Sequence, residues 1–362
     1  MRYFIIAGEA SGDLHGSNLI RSIKQRDRDA EFNFWGGDLM KAEAQGLLVH
    51  YKDVTIMGFV EVLFNLRTIF KNISTCKQQI LAFKPDVVVL IDYPGFNLRI
   101  AQFCKEQGIK TAYYIAPKIW AWKENRGKKL EKFVDLLLII FPFEIEYFKK
   151  WAINTRYVGN PLVDSIPKGL NTGKSKDDKL IALLPGSRKQ EIARILPVML
   201  QVVTGFSAYR FVIAGAPGIN PEFYSPYLNE QVEVVFGETY RLLQNSTAAV
   251  VCSGTATLET ALFNVPQVCG YVANPVSYAI AKKLVKIKYI SLVNLCLDKP
   301  AITELIQGDF TPDKITEELT RVLPGGVDHN KLMADYSDLR QLLEQEGASD
   351  KAAKEIIGLV EG

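Results

Sequence analysis

Three times in this chain an apolar run passes directly into glycine and small hydroxyl residues and then into a helical pattern. Tyr3-Phe4-Ile5-Ile6-Ala7 leads into Gly8-Glu9-Ala10-Ser11-Gly12-Asp13, and Leu180-Ile181-Ala182-Leu183-Leu184 into Pro185-Gly186-Ser187-Arg188. Ala248-Ala249-Val250-Val251-Cys252 leads into Ser253-Gly254-Thr255-Ala256-Thr257-Leu258-Glu259. A buried strand that turns into a helix in this way converges backbone N–H groups and the positive end of a helix dipole on an anion. One such turn is weak evidence. Three, split between the two halves of the chain, point to a phosphorylated ligand held between two domains.

At 362 residues the chain exceeds the size at which a single core stops growing, and 48% hydrophobic content is enough for two full cores. A net charge of +3 gives no reason to expect nucleic acid. No apolar run approaches the roughly 20 residues that span a bilayer, and the chain opens on a strand pattern without a signal-peptide n-region. Cys76, Cys104, Cys252, Cys269 and Cys296 are scattered, never in CxxC spacing, and most lie in apolar runs. They read as buried free thiols in a reducing cytoplasm. His15, His50 and His329 are isolated, so no zinc site is expected.

Short β-rich runs alternate with longer helical patterns. Strands are expected near 2–7, 32–36, 86–91, 110–115, 134–140 and 155–158, then near 180–184, 209–214, 231–236, 247–252 and 267–271. Asp86-Val87-Val88-Val89-Leu90-Ile91 is continuously apolar after its first residue, as a strand covered on both faces of a parallel sheet must be. Lys168 to Lys179 is rich in Gly, Ser, Asp and Lys and reads as a linker. The expectation is α/β: two Rossmann-like doubly wound domains with a cleft between them and ligands at the carboxyl ends of the strands. The boundaries are 1–166, 167–344 and a terminal helix at 345–362 that packs on the first domain or on a partner.

Gly8 to Gly16 lacks GxGxxG spacing, which argues against NAD, and there is no GxxxxGK[ST] loop. Glycosyltransferases of the two-Rossmann type match better; in them a Glu on the helix after a Gly-Ser/Thr turn binds the ribose. Glu259 holds that position, four residues past Thr255, although a plain solvated carboxylate would look the same.

The resemblance then becomes specific. Gly8–Asp13, Ile56-Met57-Gly58-Phe59-Val60-Glu61-Val62-Leu63, Ile91-Asp92-Tyr93-Pro94-Gly95-Phe96-Asn97 and Trp120-Ala121-Trp122-Lys123 resemble blocks of the lipid-A-disaccharide synthase family. So do Phe141-Pro142-Phe143-Glu144, Leu183–Arg188, Ser253–Glu259 and Tyr289-Ile290-Ser291-Leu292-Val293-Asn294-Leu295, in the family's order across nearly the whole chain. Departures fall mainly at positions outside the blocks' shared pattern, such as Lys118. The resemblance implies a hexosyltransferase with no cofactor. It would join UDP-2,3-diacylglucosamine to 2,3-diacylglucosamine 1-phosphate, forming a β-1,6-linked disaccharide 1-phosphate with release of UDP. It also implies Met57 and Glu61 on the acceptor side, Asn294 on the UDP-sugar side, and a homodimer as one arrangement.

A β-linkage from an α-linked donor requires inversion, with in-line attack by the acceptor 6-hydroxyl, and that hydroxyl needs a general base. Asp92 emerges at a strand end and is the candidate; the alternative is an Asp that caps the following turn. Asp13 is either an N-cap or a residue that orders the acceptor side, where Ser11 and Gly12 shape the wall. The departing diphosphate gains charge. No Asp-X-Asp stands in these blocks, so no metal clamp is expected. Arg188 is the best cation, its bland alternative being a solvated loop arginine, with Gly186, Ser187, Ser253, Gly254 and Thr255 supplying hydroxyl and backbone donors.

Acyl chains must meet lipid. Phe59, Val62, Leu63, Leu66, Ile69 and Phe70 share one helical face, with Val60 and Phe64 off it and Arg67 and Lys71 flanking. The pattern suits either a core helix or a segment lying on the cytoplasmic face of the inner membrane as a peripheral contact. Two other classes stay open: a UDP-N-acetylglucosamine 2-epimerase and a non-enzymatic sugar-nucleotide-binding module.

Overall fold

The structure, a computed structural model, describes residues 1–54, 66–121, 124–166, 179–275, 278, 282, 287–343 and 347–362. The chain forms two compact units, Met1–Asp164 with Gln345–Gly362, and Ser165–Glu344. The expected linker, apart from Lys179, and the Ile56–Leu63 block lie outside the described residues.

The first unit is built on β1 (Arg2–Ala7), β2 (Glu31–Gly36), β3 (Leu47–His50), β4 (Val87–Ile91), β5 (Lys110–Tyr114), β6 (Leu136–Ile139) and β7 (Thr155–Tyr157). Their order is β3-β2-β1-β4-β5-β6-β7, and every pairing is parallel. The second unit uses β8 (Leu180–Leu184), β9 (Arg210–Gly215), β10 (Val232–Phe236), β11 (Ala248–Cys252), β12 (Gln267–Tyr271) and β13 (Glu304–Ile306). The order there is β10-β9-β8-β11-β12-β13, again parallel. The fold is therefore α/β with two doubly wound sheets.

Packing follows from the apolar runs. Every residue of β4, β8 and β11 is buried, because crossover helices cover both faces. The Lys189–Gln201 helix presents Ile192, Ile195, Leu196 and Met199, the i, i+3, i+4, i+7 stripe of one helical face. The edge strands β3 and β13 escaped the sequence reading. They are four and three residues long, Leu47-Leu48-Val49-His50 and Glu304-Leu305-Ile306, too short to stand out as strand patterns.

Topology places the turns that matter. In the first sheet the chain moves from β1 to β2 on one side and resumes at β4 on the other, so the order reverses between β1 and β4. The same reversal falls between β8 and β11. Ligands of doubly wound folds sit at such switch points, outside the carboxyl ends of the strands. The chain leaves β1 at Gly8, β4 at Asp92, β8 at Pro185 and β11 at Ser253.

The Ala348–Glu361 helix belongs to the first unit. Ala348, Ala352, Ala353 and Ile356 are fully buried, the small side chains permitting close approach. Arg26 grips Asp350 with two hydrogen bonds of 2.8 and 2.6 Å, and Asp164 accepts the Gly347 amide at 2.7 Å. Apolar burial outweighs the exposed ion pair. Ile356→Ala should cost about 2–5 kcal/mol in urea unfolding, and Arg26→Ala under about 1 kcal/mol. An Arg26→Ala loss equal to that of Ile356→Ala would show that charge, not packing, docks the helix.

Candidate functional site

In the second unit a cavity of about 460 Å³ opens at the β8/β11 switch point. Gly186, Ser187, Arg188, Ser253, Gly254, Thr255 and Glu259 all line it, together with Glu191 and Thr239. The chain brings these distant residues together because both turns leave neighbouring strands at the same edge.

Their donors are unequally available. The Ser187 amide is spent on Glu191 Oε2 at 3.0 Å. The Ser253 amide donates to Gly270 O at 2.8 Å and its hydroxyl to Ile290 O at 3.0 Å, so Ser253 supports the turn rather than offering a donor. The amides of Gly254 and Thr255, at the start of the Thr255–Leu262 helix, meet no acceptor among the described residues. Arg188 is exposed and meets no carboxylate among them. The turn after β11, with Arg188 of the β8 turn beside it in the cavity wall, offers an anion unspent donors and a cation.

Gly186 is obligatory twice over. Its φ is +111°, and a Cβ there would lie 2.1 Å from Glu191 Oε2. Glu191 was absent from the sequence reading, yet it stands three residues after Arg188, the N-cap of its helix, as a capping-box acid does.

Asn294 does not line the cavity. It is buried, its amide nitrogen donates to Ile302 O and Glu304 Oε1 at 2.9 Å each, and its oxygen accepts the Ile302 amide. Glu304 in turn holds the amides of Ile290 and Ser291. Asn294 thus braces the loop whose carbonyl receives Ser253.

In the first unit, Asp92 and Tyr93 follow β4 with φ of +43° and +47°, two consecutive left-handed residues. Each such conformation costs on the order of 1–3 kcal/mol and must be imposed by its surroundings. Asp92 O accepts from Tyr113 Oη at 2.5 Å and Asn97 Nδ2 at 2.8 Å, and Asp92 N donates to Tyr114 O at 3.2 Å. The Tyr93 ring stacks on Phe96 and lies over Gly8, where a Cβ would come within 2.5 Å of it. Asp92 does not cap the following helix. Its carboxylate takes a hydrogen bond from the Tyr93 backbone and from no other described residue. Burial raises the Asp92 carboxyl above the usual range; Lys118 opposes this and Glu9 adds to it. Glu9 was not singled out in the sequence, although it sits inside the first block.

Asp13 has a different office from either expectation. It is buried, and it accepts the amides of Gly37 (2.7 Å), Leu39 (3.1 Å) and Met40 (3.0 Å), capping the neighbouring Asp38–Glu43 helix. Gly12 is buried against Ala7, while Ser11 is exposed. Met57 and Glu61 lie outside the described residues. Glu144 is fully buried and accepts from Trp120 Nε1, Ile140 N and Phe141 N; burial pushes it up to about 7. An Asp-X-Asp triplet does occur, Asp27-Arg28-Asp29, but Asp27 accepts from Tyr3 Oη at 3.0 Å, at the opposite end of β1 from Gly8.

A family model described as Lipid-A-disaccharide synthetase matches residues 3–357. A lipid-A-disaccharide synthase of Geobacter metallireducens is 34% identical over 366 residues, covering 97% of this chain and 95% of the relative. One of Myxococcus xanthus is 35% identical over 373 residues, covering 99% and 97%. The chain belongs to the lipid-A-disaccharide synthase family. It is a glycosyltransferase, a hexosyltransferase of lipid A biosynthesis. Among solved structures it is similar to a UDP-GlcNAc 2-epimerase from Neisseria meningitidis (TM-score 0.66, 13% identity, 100% of both chains). It is equally similar to the glycotransferase of kitacinnamycin (TM-score 0.66, 13% identity, 99% of both chains). At such identities the likeness is one of fold, the two-domain architecture of GT-B glycosyltransferases and epimerases.

In this lipid-A-disaccharide synthase family member the turn after β8 makes a direct prediction. Gly186→Ala should cost about 1–3 kcal/mol, because the positive φ and the Glu191 contact both oppose a side chain. Gly186→Ala/Glu191→Ala should recover the part due to the clash and leave the part due to φ. Strict additivity of the two single variants in denaturant unfolding would mean that Glu191 does not press on residue 186.

Proposed function

We propose that the protein transfers 2,3-diacylglucosamine from UDP to the 6-hydroxyl of 2,3-diacylglucosamine 1-phosphate, with inversion, giving the β-1,6-linked disaccharide 1-phosphate and UDP. The observation that carries this reading is the convergence of Gly186, Ser187, Arg188, Ser253, Gly254, Thr255 and Glu259 on one cavity at a switch point, in a chain of this family. Here the UDP diphosphate meets the Gly254 and Thr255 amides and the Arg188 guanidinium, whose charge offsets that developing on the leaving group. Glu259 accepts from the ribose. Ser253 and Asn294 hold the turn in place.

Asp92 serves as the general base. A carboxylate buried enough to be raised, and not consumed by amide donors, is a better proton acceptor than an exposed one. Glu9 stands beside it, and Asp13 and Gly12 fix the packing of the helix that carries them; Met57 and Glu61 are assigned to the acceptor side on the resemblance. The acyl chains call for a lipid surface. Phe70, 61% exposed between exposed Arg67 and Lys71, supports peripheral contact with the cytoplasmic face of the inner membrane. No helix among the described residues is long and apolar enough to cross a membrane.

The deciding assay measures UDP release from the acylated donor with and without the monophosphate acceptor. Strict dependence on acceptor supports the transferase; release without it, or conversion of UDP-N-acetylglucosamine to its 2-epimer, overturns it. Asp92→Asn should lower turnover by roughly 10²–10⁴-fold while UDP still binds. Because the base must be ionised, activity should fall as pH drops through the raised Asp92 value, above the ordinary carboxylate range of about 3.9. Lys118 opposes that rise, so Lys118→Ala should move the acidic limb to higher pH; an unmoved limb would remove Asp92 as its source. Arg188→Ala should weaken UDP binding by about 10- to 100-fold, with Arg188→Lys recovering only part, since the bidentate fork is lost. Full recovery by Lys in calorimetry would reduce Arg188 to a point charge.

A further inference from the structure

Glu259 does not stand alone in its cavity wall. Tyr240 Oη donates to Glu259 Oε1 at 3.2 Å, and Ser165 Oγ lies 3.3 Å from the same phenol oxygen. A phenol has one proton. With that proton committed to Glu259, Ser165 must donate to Tyr240, and the three residues form a directed chain ending on the carboxylate. The Tyr240 ring is seated against Phe263 with centroids 5.3 Å apart, and its neighbour Thr239 lines the cavity. Oε2 of Glu259 has no partner among the described residues.

We propose that Tyr240 is a positioning residue of the nucleotide site, holding Oε1 of Glu259 so that Oε2 accepts a hydrogen bond from a ribose hydroxyl of the uridine diphosphate ligand. This rests on the reading of Glu259 as the ribose acceptor. The electrostatics agree with the geometry. Burial pushes the Glu259 carboxyl up, against the ionised form that accepting requires, and the Tyr240 hydrogen bond works the other way. The bland alternative is a half-buried tyrosine whose hydroxyl needs any partner. Such a residue would support the fold and be indifferent to the sugar.

The test is a calorimetric titration of the full chain with UDP, 2′-deoxy-UDP and 3′-deoxy-UDP. The unaltered protein should bind at least one deoxy analogue about 10- to 100-fold more weakly than UDP, as expected for a lost hydrogen bond to a charged acceptor. Glu259→Ala should abolish that preference. Tyr240→Phe keeps the ring on Phe263, and thermal unfolding confirms that it is folded; its preference should shrink to within about threefold. A Tyr240→Phe protein that keeps the full preference overturns the proposal, even if all three ligands bind more weakly. If Glu259→Ala keeps the preference, or the unaltered protein shows none, it is the ribose reading of Glu259 that fails, and the proposal with it.

Discussion

Both units depend on one constraint, the burial of a parallel sheet on its two faces. Tyr3, Phe4, Ile5 and Ile6 of β1, the first four residues of β4 and Ile181, Ala182 and Leu183 of β8 have no measurable exposure. Their backbone groups are satisfied along the ladders, and side chains at these positions are apolar save for the Tyr3 hydroxyl, which reaches Asp27 at the far end of β1. Polar chemistry is thereby expelled from the faces and collects where strands end. Because strand order reverses between β1 and β4 and again between β8 and β11, the adjoining turns diverge there and leave a crevice.

The same scaffold carries different groups in its two copies. At the first switch point two carboxylates, Glu9 and Asp92, are near enough that Glu9 helps to raise Asp92. At the second, Arg188 and the unspent amides of Gly254 and Thr255 share the cavity wall with the carboxylates of Glu191 and Glu259. The first is the costlier to build. Two left-handed residues, at about 1–3 kcal/mol each, are offset by hydrogen bonds from Tyr113 and Asn97 worth about 1 kcal/mol each and by the Tyr93–Phe96 stack over Gly8. The glycine that looks like part of an anion loop is required here by a tyrosine ring.

The sequence made the architecture legible because the central strands β4, β8 and β11 are continuous apolar runs, and eleven of the thirteen strands among the described residues were expected. The edge strands β3 and β13, four and three residues long, were not. The blocks that mark the site were equally visible, but the division of labour inside them was not. Ser253 and Asn294 stand in motifs beside Gly254 and Thr255, yet their donors are turned inward to Ile290, Gly270, Ile302 and Glu304. Which way a donor points depends on partners 8 to 37 residues away, and local spacing cannot carry that. Glu191 was a different omission: its position at the third residue of a helix is a local signal, overshadowed by the arginine before it.

Buried acids show what distinguishes support from chemistry. Asp13 accepts three amides, Glu144 two amides and an indole, and Glu304 two amides and a carboxamide. Hydrogen bonds to a charged group contribute roughly 1.5–3 kcal/mol apiece, so each of these acids is bound to the fold by most of its lone pairs. Asp92 takes one backbone hydrogen bond and Glu259 one phenol. Burial raises both carboxyls. All five acids are buried or half-buried, and composition cannot rank them. Unspent acceptor capacity can, and it selects Asp92 in one unit and Glu259 in the other as the acids able to act on something other than the protein itself.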